Sequence, residues 1–323
     1  MPDLARGGMP CPPGRRNLDH VIEVNGLTKR YGDVLAVKDL TFSVRPGHVT
    51  GFLGPNGAGK STTLRMILGL NRPTSGTATV DGRPFTAVGT GLRHVGALLD
   101  ANDVHGGRSA AAHLSALART NGLPKRRVGE VLDEVGLAGV ARRRVGGFSL
   151  GMRQRLGIAT ALLGDPPVLL FDEPVNGLDP EGVRWVRDLF RSLAAQGRTV
   201  LVSSHLMSEM EHTADRLVVI GRGELIAQES VAEFAARGTG ALVSVRTPAA
   251  TELARVLTHA GASVAPDGAG ALSVTGMSAA RIGEVAFGHG IVLHELATRT
   301  ASLEQAFMEL TADRVEYLAG ERR

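Results

Sequence analysis

Apolar and polar residues alternate along Val21–Val24 and again along Ala36–Val44, the pattern of half-buried strands, and the second run stops at Pro46-Gly47. Val49–Leu53 is short and continuously apolar, and it runs through glycines into an amphipathic helix expected from Lys60 to about Leu70. From Ser109 to about Leu137 the period is helical, with Leu114, Leu117, Val128, Val131, Leu132 and Val135 marking the apolar stripe. Val168–Phe171 and Thr199–Val202 are uninterrupted apolar runs, as expected of strands buried on both faces of a parallel sheet. Between them lies a helix, Pro180–Ala195, with proline at its start where helices favour it. Leu217–Ile220 and Glu224–Ala227, joined by Gly221-Arg222-Gly223, read as a hairpin.

The pattern shifts near Arg237-Gly-Thr-Gly240. Beyond it the expected order is a strand (Leu242–Val245), a helix (Pro248–Thr258, capped by Thr247) and a strand (Ala271–Val274). A helix from Ser278 to Phe287 and a strand over Ile291–Leu296 follow. Ser302 then opens an amphipathic helix with Leu303, Ala306, Phe307 and Leu310 on one face. This divides the chain into an extension expected to be disordered (1–19), a large α/β domain (20–236) and a small accessory α+β domain (237–323).

Composition narrows the class. The 323 residues are 43% hydrophobic and 21% charged, which supports packed cores and excludes wholesale disorder. A net charge of +4 permits contact with polyanions, but aromatics are only 4% and the densest basic run is Arg142-Arg143-Arg144, so no nucleic-acid partner is expected. The single cysteine, Cys11, excludes an intrachain disulfide framework and fits a reducing compartment. The longest apolar candidate, Ile158–Phe171, is broken by Gly164-Asp165-Pro166-Pro167 and falls short of the roughly 18 residues a membrane span requires. The N-terminus lacks a signal peptide's apolar core. The expectation is a cytoplasmic protein whose place on the inner face of a membrane depends on a partner.

Gly54-Pro55-Asn56-Gly57-Ala58-Gly59-Lys60-Ser61 fits G-x-x-x-x-G-K-[ST], with an apolar strand before it and a helix after it. Glycines let the backbone curl until successive N–H groups converge on phosphate oxygens at the positive end of the helix. Lys60 is then expected to neutralise the terminal phosphates of a nucleotide, Ser61 to ligate Mg²⁺, and Thr62 to complete the binding set. The second half comes from Val168-Leu-Leu-Phe-Asp172-Glu173, a buried strand that ends in two acids. Asp172 is expected beside the phosphate loop as a metal-holding carboxylate, and Glu173, on the other side of the alternation, as the base that polarises water.

In this order the residues resemble the ATP-binding subunits of ABC transporters, over Val21 to Phe234. The resemblance implies a P-loop NTPase of that type, a RecA-like core with antiparallel β and helical subdomains, followed here by a small C-terminal α+β domain. It implies that Tyr31 stacks on adenine, that Asn176-Gly177-Leu178-Asp179 is the loop at the dimer interface, and that His205 contacts the γ-phosphate. Phe148-Ser-Leu-Gly-Met152 occupies the position of the family signature Leu-Ser-Gly-Gly-Gln: Ser149 and Gly151 are kept, Leu150 and Met152 are not. The implied anion at that turn is the γ-phosphate held by the opposite subunit. Asp100 stands where the family normally has glutamine near Mg²⁺ and the lytic water, and is expected to ligate metal or slow turnover.

The resemblance therefore implies an ATPase that uses ATP and Mg²⁺, works as a homodimer or heterodimer and drives a separate membrane permease. "FSLGMRQRLGIA" and "GPNGAGKSTTLRMILGL" are most similar to bacterial multidrug and antibiotic-resistance exporters of the ABC-2 type. Two other readings use the same motifs: an importer ATPase, and a soluble ABC protein acting on ribosomes or DNA. A non-catalytic module would lack Lys60 or Glu173, and both are present.

Overall fold

A computed structural model of the protein describes residues 21–237, 242–268, 270–299, 303 and 307. The chain opens with β1 (Ile22–Tyr31), β2 (Val34–Val44), β3 (Val49–Leu53), α1 (Lys60–Ile67), β4 (Ser75–Val80) and β5 (Val95–Leu98). Next come α2 (Ala110–Thr120), α3 (Arg126–Glu134), α4 (Leu150–Leu162), β6 (Val168–Asp172) and α5 (Pro180–Ala195). They lead to β7 (Thr199–Ser204), α6 (Met207–Glu211), β8 (Arg216–Gly221), β9 (Glu224–Ser230) and α7 (Val231–Arg237). The last stretch carries β10 (Leu242–Arg246), α8 (Ala250–His259), β11 (Ser263–Pro266), β12 (Ala271–Thr275), α9 (Ala279–Gly288) and β13 (Glu295–Arg299).

A six-stranded sheet in the order β5-β6-β7-β3-β8-β9 is the scaffold of the large unit, parallel except where β9 returns antiparallel on β8. Its strands read as uniformly apolar because both faces are covered. On β6, Leu169 and Phe171 enter one core cluster while Val168 and Leu170 enter the other. The same division separates Val200 and Val202 from Leu201 on β7, and Leu217 and Val219 from Val218 and Ile220 on β8. The first cluster is closed by α2–α5, with Phe171 and Phe190 meeting ring to ring at 4.5 Å. The second lies under α1 and the antiparallel sheet β2-β1-β4, where Phe42 and Phe52 stack at 5.4 Å. Truncating such a buried phenylalanine to alanine costs about 3–5 kcal/mol.

Helix entrances follow local chemistry. Ser109, Ser149, Asp179 and Ser278 each cap a helix by accepting a backbone N–H three residues on, at 3.2, 3.3, 2.8 and 3.3 Å. The helical stretch expected over 109–137 is interrupted between α2 and α3, where Gly122 takes a positive φ of 61°.

The four-stranded antiparallel sheet β11-β12-β10-β13 has its own core, built on Val243, Val245, Leu253, Leu257, Val274 and Ile282. Two elements here differ from the sequence expectation. Thr247 does not cap α8, because its hydroxyl is spent on the Val292 carbonyl at 2.7 Å and accepts from Ala249 N–H. The last strand is Glu295–Arg299 instead of Ile291–Leu296, since β10 pairs only from Glu295 onward. The extension expected over 1–19 and most of the helix expected from Ser302 lie outside the described residues. Leu303 and Phe307 are helical and buried in the cluster shared with α5 and Phe234, so sequence beyond the accessory sheet returns to the large core.

Candidate functional site

In an open parallel sheet ligands bind beyond the carboxyl ends of the strands, and here those ends gather Leu53, Asp172 and Ser204 with the loops that follow them. After β3 the chain curls through Gly54–Gly59 into α1. Gly59 has a φ of 100°, and a Cβ there would lie 2.6 Å from the Ala36 carbonyl, so the last turn of the loop accepts only glycine. At the start of α1, Lys60 is 7% exposed, and its Nζ donates to the carbonyls of Gly54 at 2.6 Å and Pro55 at 3.3 Å. Burial lowers the pKa of that ammonium, while the carboxylates of Glu173 and Asp172 push it back up.

Glu173 lies 3.8 Å from Lys60 Nζ through Oε1 and 2.9 Å from His205 Nδ1 through Oε2. The three residues expected to be catalytic therefore meet, although they come from the start of α1, the turn after β6 and the turn after β7. Glu173 has a φ of 48°, a costly conformation for a residue with a side chain, and three contacts hold it. Its N–H donates to Ser203 Oγ at 3.1 Å and to the Ser203 carbonyl at 3.3 Å, and its carbonyl accepts from Gln154 Nε2 at 2.8 Å. Ser203 Oγ in turn donates to Asp172 Oδ1. One serine on β7 thus orients both acids, and one glutamine on α4 ties the signature helix to the same turn.

Ser203, Gln154 and Glu209 were missed by the sequence reading. Glu209 accepts from Ser204 Oγ at 3.1 Å, and burial, together with the negative Glu173 nearby, raises its carboxyl pKa. The "VSSH" run preceding His205 was the available signal for Ser203.

The other expected residues fall in three places. Tyr31, at the end of β1, is 47% exposed. Ser149 opens α4, and its hydrogen bonds stay inside that helix. Asp179 opens α5. The signature turn and the loop before α5 touch each other: Gly177 has a φ of 77°, and a Cβ on it would sit 2.1 Å from Leu150 Cδ2. Asp100 is exposed, and its carboxylate accepts from Asn102 N–H at 2.8 Å, while Asn102 Oδ1 accepts from Arg153 Nη1 at 3.1 Å.

The oxygen donors fit Mg²⁺, a hard cation usually held by one or two protein oxygens together with substrate phosphates. Ser61 stands in the first turn of α1, and Asp172 keeps one carboxylate oxygen free of hydrogen bonds among the described residues.

A family model described as "ABC transporter" matches residues 37–176, and one described as a domain of unknown function (DUF8746) matches 241–304. An ABC transporter ATP-binding protein of Bacillus subtilis (strain 168) is 36% identical over 300 residues, covering 92% of this chain and 97% of that protein. The chain belongs to the ABC transporter ATP-binding family. A bacitracin transport ATP-binding protein of Bacillus licheniformis is 43% identical over 209 residues, 64% of this ABC chain and 68% of the relative. Among solved structures, an ATP-binding subunit of an ABC transporter superposes with a TM-score of 0.61 at 29% identity, covering 66% of this chain and 91% of that one. The fold is that of an ABC ATPase.

Proposed function

We propose that the chain hydrolyses ATP as one half of a composite dimer and drives export of an antibiotic-type molecule through a separate membrane permease. The observation that carries the hydrolytic part is the Lys60–Glu173–His205 cluster with Asp172 locked beside it by Ser203. Lys60 sits against carbonyls and a carboxylate, partners that a triphosphate replaces with stronger ones. Glu173 accepts the proton of the attacking water while His205 fixes the direction of its carboxylate. Backbone N–H groups of the loop and the N-terminus of α1 stabilise negative charge on the transferred phosphoryl. Ser61 and Asp172 would hold Mg²⁺, which would supply further charge neutralisation on the phosphates.

Ser149 caps the start of α4, whose first turn carries no acidic side chain, and a helix N-terminus of this kind suits the γ-phosphate of a nucleotide on a second subunit. Export is favoured by relatives named for bacitracin and lantibiotic transport. An apolar groove of about 370 Å³, lined among others by Leu68, Leu92, Leu98, Asp100 and His113, offers the permease a docking face next to the helical elements. No helix of the described residues is long and apolar enough to cross a membrane, so attachment at the inner face rests on that partner.

The test is Glu173→Gln, which keeps the site's shape and removes the base. With saturating ATP and Mg²⁺ the variant elutes from gel filtration as a dimer and hydrolyses ATP about a hundredfold or more slower than the parent. A persistent monomer defeats the composite-site reading, and full hydrolysis removes Glu173 from the mechanism.

A further inference from the structure

Tyr31 is held from two sides by residues to which no role has been given. The Lys29 ammonium lies over its ring, 4.8 Å from the centroid, and is itself pinned by a 2.7 Å hydrogen bond to the Arg72 carbonyl. The phenol oxygen accepts from Asn71 Nδ2 at 2.7 Å. Asn71 and the Arg72 carbonyl both belong to the segment that leaves α1, where Leu70 and Asn71 N–H groups donate to the Arg65 carbonyl at 2.8 and 3.2 Å. That segment is also stitched to β1, through Arg30 N–H to Thr74 Oγ1 at 3.0 Å and Thr74 N–H to the Thr28 carbonyl at 2.8 Å.

We propose that Lys29 and Asn71 are positioning residues for nucleotide recognition: they set the ring of Tyr31 in place from one face and from its hydroxyl, and leave the exposed face as a platform for the adenine base. This rests on the reading that Tyr31 stacks on adenine. Three features of the geometry support it.

An aromatic residue that is 47% exposed on a strand end is otherwise free to change rotamer, and two anchors remove that freedom before the base arrives. A cation against the back of the ring draws π-density toward itself, which lessens the repulsion when a second π-system stacks on the front. Finally, Asn71, which holds the phenol, follows one turn after α1, the helix of about 12 Å that begins at Lys60, so one rigid element connects the phosphate grip to this anchor.

The experiment compares calorimetric binding of a non-hydrolysable ATP analogue with that of inorganic tripolyphosphate, which has no base, in Lys29→Met, Lys29→Arg, Asn71→Ala and Tyr31→Ala. Lys29→Met and Asn71→Ala weaken the analogue by about twofold to fivefold each and leave tripolyphosphate unchanged. KM for ATP rises correspondingly with kcat unaltered. Lys29→Arg, which keeps a cation over the ring, restores most of the affinity, and Lys29→Met adds nothing to Tyr31→Ala. If Tyr31→Ala weakens the analogue while Lys29→Met and Asn71→Ala do not, the positioning role is overturned and the stacking role of Tyr31 stands. If Tyr31→Ala itself changes nothing, the stacking reading fails, and the positioning role with it. Tighter binding in Lys29→Met shows that the lysine occupies the face the base needs, and equal loss for tripolyphosphate shows that it acts through the phosphate loop; either result overturns the proposal.

Discussion

Ser203 has no reactive chemistry of its own, yet its hydroxyl donates to the Asp172 carboxylate and accepts from the Glu173 N–H. Removing it leaves a charged oxygen and a strained backbone turn each short of a partner. A hydrogen bond to a charged group contributes about 1.5–3 kcal/mol, so Ser203→Ala is expected to slow steady-state hydrolysis about tenfold to a hundredfold. Purified variant and parent, assayed side by side at saturating ATP, decide this; an unchanged kcat shows the two acids hold themselves. Glu209 makes a different prediction. Burial raises its pKa from the ordinary 4.5, so between 4.5 and the raised value the folded state binds more protons than the unfolded chain. Stability therefore falls as pH rises through that window. Glu209→Gln keeps an oxygen for Ser204 and cannot ionise, so urea titrations from pH 4 upward should show a shallower decline in the variant than in the parent.

At the scale of elements, α4 and the loop before α5 are keyed together by Leu150 and Gly177. Gly177→Ala forces a side chain into a left-handed backbone, at about 1–2 kcal/mol, and pushes Leu150 out of its seat. Leu150 is 48% exposed at the signature turn, so its displacement goes outward, toward the face proposed to meet the second subunit. Expected in Gly177→Ala are a lower melting temperature and reduced hydrolysis. Adding Leu150→Ala returns hydrolysis toward the parent rate without restoring stability, because the backbone cost remains. Loss of both properties in equal measure, with no recovery in the double variant, separates the two residues.

For the whole molecule, a site divided between two chains makes hydrolysis depend on how many chains are paired. Specific activity per chain is expected to rise with protein concentration and to level off once dimers predominate. A dilution series monitored in parallel by light scattering checks it, and a flat specific activity across a range in which monomers and dimers interconvert counts against the divided site. Beyond the accessory sheet, Leu303 and Phe307 are buried in the core of the large unit.

By itself the sequence determined what is local. The phosphate loop, the capped starts of α2, α4, α5 and α9, and the apolar strands β3, β6 and β7 are encoded within a few residues, where backbone geometry and neighbouring side chains suffice. Order along the chain then joined Lys60, Asp172, Glu173 and His205 into one reading. What tertiary structure decided is what depends on distant partners. The short strands β4, β5 and β11 take their pairing from β1, β6 and β12, and their own patterns are too brief or too exposed to announce it. Ser203 stands 30 residues from the Glu173 N–H it holds, Gln154 19 residues from the same turn, and Asn71 40 from the ring of Tyr31. A hydrogen bond between residues so far apart leaves no periodic trace in either segment, because only the folded sheet brings their atoms within reach.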